Sequence, residues 1–160
     1  MGMIRNHYVG RTFIQPAQTT RDFKVKIKFN IMKSVLNQKR VVVVDDSIVR
    51  GTTSKMRVKS LRQAGAKEVH LRISCPPHKS PCAYGIDFPT KEELIANRYS
   101  HDELKKYLEC DSFGYLSLEG MLKCVSSPKQ NYCTACWSGN YPVAFEQQNK
   151  YHAEKSCGGN

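Results

Sequence analysis

Long apolar runs are missing from this chain. The longest is the four-valine stretch Val41–Val44, far short of the ~20 residues a membrane-crossing helix needs. The opening residues, Met1 to His7, lack an apolar signal core. They also miss the myristoylation pattern, because Asn6 stands where Ser or Thr is required. These absences predict a cytoplasmic chain without membrane contact. Repeats and low-complexity stretches are absent too, and no G-x-x-x-x-G-K-[ST] phosphate loop occurs. Acidic residues are scarce: 14 Asp and Glu against 25 Lys and Arg give a net charge of +11, which points to an anionic partner. The basic residues are not gathered into one block. Lys24, Lys26 and Lys28 alternate, while Lys33, Lys39, Arg40 and Arg50 are spread out. A nucleic-acid partner is therefore not expected, and a small polyphosphate is.

The 160 residues, 40% of them hydrophobic, suffice for a domain with a real core. Gln38 to Asp46 is the clearest strand, with a basic flank, four valines and two aspartates. A continuous apolar run of this kind predicts a central parallel strand covered on both faces. Gly51 breaks the chain. Thr52 or Thr53 then caps a helix to about Ala64, with Val58, Leu61 and Ala64 three apart and Gly65 as its stop. Glu68 to Ser74 alternates as a half-buried strand. Strand, turn, helix and strand make a βαβ unit with a parallel sheet. Beyond Pro76, Pro77 and Pro81 the chain turns irregular. Helical candidates follow near Lys91–Ala96, His101–Leu108 and Ser117–Val125, the last with Leu118, Met121, Leu122 and Val125 on one face. From Ser126 the tail carries a CxxC and then becomes polar and loose after Gln147.

The chemistry concentrates in VVVVDDSIVRGTTS, Val41 to Ser54. In an open α/β sheet, ligands sit beyond the carboxyl ends of the strands. Asp45 and Asp46 end the strand there, where vicinal carboxylates can hold two sugar hydroxyls or reach Mg²⁺. The following turn offers backbone N–H groups, Gly51 permits close approach, and Thr52 and Thr53 add hydroxyls at a helix N-terminus. That combination favours a phosphate monoester. A diol at one end and a phosphate at the other describe ribose 5-phosphate. The bland alternative is a capped turn beside a solvated acidic pair.

This string resembles the phosphoribosyl-pyrophosphate (PRPP) motif of type I phosphoribosyltransferases. The flanks IRNHYVGRTFI (Ile4–Ile14) and SCPPHKSPCAYGIDFPTKEELIA (Ser74–Ala96) narrow the resemblance to the glutamine PRPP amidotransferases. It extends through YLSLEGMLKCV to CTACWSGNYP, covering roughly residues 3–145. The resemblance implies a partial type I phosphoribosyltransferase fold, a parallel sheet with flanking helices, over residues 1–125. A helical, cysteine-bearing segment follows over 126–160. The implied reaction is displacement of pyrophosphate from PRPP by glutamine-derived ammonia, giving 5-phosphoribosylamine in the first committed step of purine synthesis. Asp45 and Asp46 match the ribose and Mg²⁺ contacts, and Ser47, Ile48, Val49, Arg50, Gly51, Thr52 and Thr53 match the 5′-phosphate loop. Arg5–Lys28, within a lid region 5–30, matches a mobile lid that closes over PRPP. Tyr8, Arg11 and Lys28 fall on its functional positions, with Arg5 and His7 as local variations. The resemblance further implies a homo-oligomer, with purine nucleotides as inhibitors.

Of the seven cysteines, Cys133 and Cys136 form a CxxC, a spacing shared by zinc ribbons, iron–sulfur sites and redox pairs. An odd count without a signal peptide argues against a disulfide framework. Some members of the family resembled hold a four-iron, four-sulfur cluster, and Cys82, Cys133 and Cys136 fall on three of its ligand positions. The fourth ligand lies upstream of anything in this chain. Cys75, Cys110 and Cys124 sit among apolar neighbours and read as small core residues, while Cys157 has no evident task. The family also begins with a glutaminase domain whose N-terminal cysteine releases ammonia, yet no cysteine precedes Cys75 here. The expectation is therefore a phosphoribosyl-transfer part that depends on a glutaminase part or partner chain. A half sheet would also expose an apolar edge. Two other readings share the Asp-Asp loop. A PRPP-sensing regulator would need a DNA-binding helical module, and no helix-turn-helix pattern precedes the loop. A salvage phosphoribosyltransferase would lack the SPCAYGID and CTAC segments.

Overall fold

The computed structural model describes residues 2–5, 29–86 and 89–143. These residues fall into two compact units. The first comprises the described residues of 1–45, 51–72 and 101–114, and the second those of 46–50, 73–100 and 115–160.

In the first unit, β1 (Met3–Arg5) and β2 (Phe29–Ile31) pair antiparallel, with Met3 opposite Ile31 and Arg5 opposite Phe29. The two ends of the predicted lid segment are thus joined by a short ladder. A one-turn helix α1 (Lys33–Leu36) leads into β3 (Arg40–Asp45). Helix α2 (Thr52–Gln63) and strand β4 (Glu68–Ile73) then complete the expected βαβ unit. The sheet order is β3-β4-β5, where β5 is Ser112–Tyr115, and its strands run parallel.

Helix α2 ends as its sequence dictates. Gly65 takes φ +91°, which only glycine adopts at no steric cost. Its N–H donates to the Arg62 carbonyl, and the Ala66 N–H donates to the Leu61 carbonyl. This is a Schellman closure. A Cβ on Gly65 would also meet the Asn37 side-chain amide, so another residue here would be strained by its φ and would have to displace Asn37. Val58, Leu61 and Ala64 are all buried, as their three-residue spacing predicts. Helix α4 (His101–Leu108) packs against α2 and buries Leu104 and Leu108. With Val69, Leu71 and Phe113 these side chains form the core of the unit.

Strand β3 departs from expectation. Among the described residues it is an edge of the three-stranded sheet, and only one of its faces is covered. Val42 and Val44 remain 61% and 71% exposed, whereas Val41 and Val43 are half-buried. A parallel strand is buried on both faces only where elements pack on both sides, and the helices of this unit bury one. The open face is stitched by polar groups across all three strands. Arg40 Nε donates to Glu68 Oε2 at 2.7 Å, His70 Nε2 lies 3.0 Å from the same oxygen, and His70 Nδ1 lies 2.8 Å from Ser112 Oγ. The Arg40 hydrogen bond, offset in part by burial and reinforced by His70, holds the Glu68 carboxyl below its ordinary range.

In the second unit, the helical stretch expected near Lys91–Ala96 divides in two. A 3₁₀ turn at Lys91–Glu93 and helix α3 (Ile95–Arg98) flank an extended Leu94. Helix α5 (Leu118–Leu122) starts at Ser117, whose hydroxyl oxygen accepts the Gly120 N–H at 3.0 Å, a side-chain N-cap. Leu118, Met121, Leu122 and Val125 are half-buried. A 3₁₀ turn at Lys129–Asn131 precedes α6 (Ala135–Ser138), which carries Cys136. Its core holds Ile48, Ile73, Cys75, Leu94, Ile95 and Ala135. Among the described residues, no helix is long and apolar enough to cross a membrane.

Candidate functional site

Asp45 stands at the last position of β3, and its carboxylate is engaged by the guanidinium of Arg57 from α2, both partly buried. Gly51 opens α2 in the left-handed region at φ +77°, and its carbonyl accepts the Lys55 N–H at 2.9 Å. The expected threonine cap is therefore corrected: Gly51 is the N-cap, and neither Thr52 nor Thr53 caps with its side chain. The reason is steric. The turn demands a positive φ at the residue before the helix, which pushes both threonines into the first turn, where they are exposed. That turn holds no acidic residue, so the positive end of the helix dipole is not neutralised from within.

Residues Asp46 to Arg50 belong to the second unit. Asp46 is exposed, and its Oδ1 accepts the Ser47 backbone N–H at 2.6 Å and the Ser47 hydroxyl at 3.2 Å. Ile48 is 3% exposed and anchors the loop. The Val49 carbonyl accepts the Ile95 N–H at 2.8 Å. Arg50 reaches Glu93 at two points, Nε to Oε1 at 3.0 Å and Nη2 to Oε2 at 3.4 Å. The Glu93 Oε2 also accepts the Thr90 N–H at 3.1 Å. The contacts of Arg57 and Glu93 were not legible as functional in the sequence. Arg57 carries a faint signal, since it lies one helical turn after Thr53 and shares its face. Glu93 lies 43 positions from Arg50, and nothing local announces it.

Tyr8, Arg11 and Lys28 of the expected lid lie outside the described residues, as do His7 and Cys157. The other cysteines are all reduced. Cys136 is half-buried, and burial pushes its thiol up to about 11, with Cys82 and Cys133 adding to the effect. Cys82 and Cys133 are thus near enough to act on Cys136. The soft-donor chemistry of the three thiols fits an iron–sulfur or zinc site. As placed, however, no three His, Cys, Asp or Glu side chains among the described residues are close enough to hold a metal ion. The Cys136 carbonyl accepts the N–H groups of Lys79 and Ser80, at 3.0 and 3.1 Å.

Cys75 and Cys110 are buried, as expected of core residues, but Cys124 is exposed. It follows α5 with its Sγ directed to the Gly120 carbonyl at 3.4 Å, so its apolar neighbours do not enclose it. Burial, then Asp46 and Cys136, raise the Cys75 thiol to about 11, against a lowering contribution from Trp137. Its Sγ lies 3.7 Å from His78 Nε2, and the His78 ring sits 5.5 Å from that of Trp137. Burial holds His78 below the ordinary imidazole range.

No protein-family model matches the chain. Individual proteins do. The chloroplastic amidophosphoribosyltransferase of Glycine max is 55% identical over 146 residues, 91% of this chain and 26% of that protein. The amidophosphoribosyltransferase of Methanothermobacter thermautotrophicus is 49% identical over 157 residues, 98% of this chain and 33% of its own length. Among solved structures, glutamine PRPP amidotransferase from B. subtilis, complexed with ADP and GMP, superposes with a TM-score of 0.75. It is 48% identical over 92% of this chain and 33% of its own. The allosteric regulatory enzyme of purine biosynthesis gives the same TM-score at 49% identity, covering 92% of this chain and 32% of that one. The chain therefore spans about a quarter to a third of the length of the relatives it matches.

Proposed function

We propose that this chain, a homologue of one segment of the amidophosphoribosyltransferases, performs or completes phosphoribosyl transfer from PRPP to ammonia. In that reaction ammonia nitrogen bonds to C1 of the ribose as the C1–O bond to pyrophosphate breaks. A proton leaves the new ammonium, and 5-phosphoribosylamine results. The observation that carries the reading is the unbroken run Asp45-Asp46-Ser47-Ile48-Val49-Arg50-Gly51-Thr52-Thr53, with a left-handed glycine opening the helix, inside a segment about half identical to these enzymes.

On this reading Asp45 and Asp46 hold the ribose hydroxyls. The turn 47–53, through the N–H groups of 48–53 and the hydroxyls of Thr52 and Thr53, holds the 5′-phosphate. Arg57 holds the Asp45 carboxylate in place. The transition state resembles an oxocarbenium ion, so the contribution of the protein is to fix the ribose and the phosphate and to keep water from C1. Tyr8, Arg11 and Lys28 would close over the pyrophosphate. Mg²⁺, held through Asp45, Asp46 and the substrate, would offset charge on the departing pyrophosphate. Glutamine hydrolysis is assigned to no residue here and would come from a glutaminase part or partner. Cys82, Cys133 and Cys136 are the residues that would hold a 4Fe–4S cluster, with a fourth ligand from elsewhere. The assembly we infer is a cytoplasmic homo-oligomer inhibited by purine nucleotides, although plant relatives are named chloroplastic.

The test is ammonia-dependent release of pyrophosphate from PRPP by the purified chain, alone and with the upstream portion of a relative supplied separately. Release that needs both ammonia and the chain supports the reading. Failure in both mixtures contradicts it.

A further inference from the structure

The loop 46–50 is tied down by an element that the sequence did not connect with it. The Val49 carbonyl accepts the Ile95 N–H at 2.8 Å. One residue on, Arg50 makes a two-point contact with Glu93, at 3.0 and 3.4 Å. Glu93 is itself held, because its Oε2 accepts the Thr90 N–H and its own N–H donates to the Thr90 carbonyl. The segment beyond it is anchored in turn. Leu94 and Ile95 are 0% and 1% exposed, and the Asn97 amide donates to the carbonyls of Lys79 and Lys91, each at 2.9 Å. A planar guanidinium meeting a carboxylate at two points fixes direction as well as distance. Glu93 therefore sets where Arg50 points, and with it the backbone that precedes Gly51.

We propose that Glu93 is a positioning residue for the phosphate loop: it holds Arg50, and through Arg50 it keeps the N–H groups of 48–50 set for an anion before one arrives. The inference rests on the reading of this loop as part of the PRPP site. An exposed ion pair adds little to global stability, so what it supplies is local order. Preorganised donors bind more tightly than donors that must be ordered on contact.

The experiment is amide hydrogen exchange on the full chain, with PRPP and Mg²⁺ affinity measured beside it. Glu93→Ala and Arg50→Ala should each speed exchange at Ser47–Gly51 about tenfold, leaving His101–Leu108 unchanged, and the double variant should add nothing further. Arg50→Ala leaves the Glu93 bond to Thr90 in place, so it separates the hold on the loop from a role in the turn alone. Glu93→Gln, which keeps one acceptor oxygen, should restore part of the protection. PRPP affinity in Glu93→Ala should fall about tenfold at an unchanged melting temperature. Unaltered loop exchange in both single variants, or additive effects in the double, would overturn the proposal. If the unmodified chain binds no PRPP even with the upstream portion of a relative supplied, the functional reading fails instead, and the exchange data still decide whether Glu93 holds the loop.

Discussion

The Asp45 carboxylate at the end of β3 is held by the Arg57 guanidinium of α2 in a partly buried ion pair, while Asp46 next to it is exposed and turned onto Ser47. The two aspartates are thus unlike in duty. Arg57→Ala leaves Asp45 without that ion pair and should cost about 2 kcal/mol, since breaking a desolvated pair exceeds the worth of a surface one. Asp46→Ala should cost under about 0.5 kcal/mol yet weaken Mg²⁺-dependent PRPP binding as much as Asp45→Ala does. Urea melts beside binding titrations check this. Equal stability losses at the two aspartates would contradict it.

Val42 and Val44 present apolar surface on the open face of β3, beside an edge that templates association. Replacing both with threonine keeps β-branching and should raise the monodisperse fraction in sedimentation velocity. Stability should change by less than about 0.5 kcal/mol. Unchanged association in the double variant would show that this face is not responsible.

Asp111 joins β5 to β4 and α2. Its Oδ2 accepts the Val69 N–H at 2.6 Å and Arg62 Nη2 at 2.5 Å. Burial acts to raise this carboxyl, but the Val69 bond and Arg62 outweigh it and hold it below the usual aspartate range. A carboxyl depressed on folding contributes stability that is present above the unfolded value, about 3.9. That stability is lost as pH falls through the folded value. Asp111→Asn should therefore lower stability by about 1 kcal/mol at pH 7, a figure kept small because the pair is a third exposed. It should also flatten the acid limb below pH ~4. An acid limb identical to that of the unmodified chain would refute the assignment.

Thiol reactivity should follow burial. Cys124 is exposed and should be alkylated at pH 8 well ahead of Cys75, which is buried and raised to about 11 and should react only when the unit opens. Mass spectrometry of a time course reads the order directly. Comparable rates at the two positions would contradict the packing around Cys75.

Much of this was legible in the sequence where a local rule governs. Helix α2, its stop at Gly65 and strand β4 follow from apolar spacing and one obligatory glycine, and α4 appeared at its expected bounds. Strand β5 was missed, because Ser112–Tyr115 is four residues with a glycine inside and is made a strand by its neighbour rather than by its composition. The same holds for β1 and β2, three residues each. Thr52 and Thr53 carry a capping preference, but the positive φ at Gly51 sets the cap before them. Asp45 to Thr53 stands out in the sequence as a candidate site because an acidic pair, a glycine and two hydroxyls have few joint uses. Arg57 and Glu93 do not, because their partners are set by tertiary placement.

The most direct measurement is calorimetric titration of the anaerobically purified chain with PRPP and Mg²⁺, against an Asp45→Ala/Asp46→Ala control. The account predicts saturable, Mg²⁺-dependent binding that the double variant abolishes while remaining folded. Binding that survives the double variant, or none by a folded sample even with the upstream portion of a relative supplied, would contradict it.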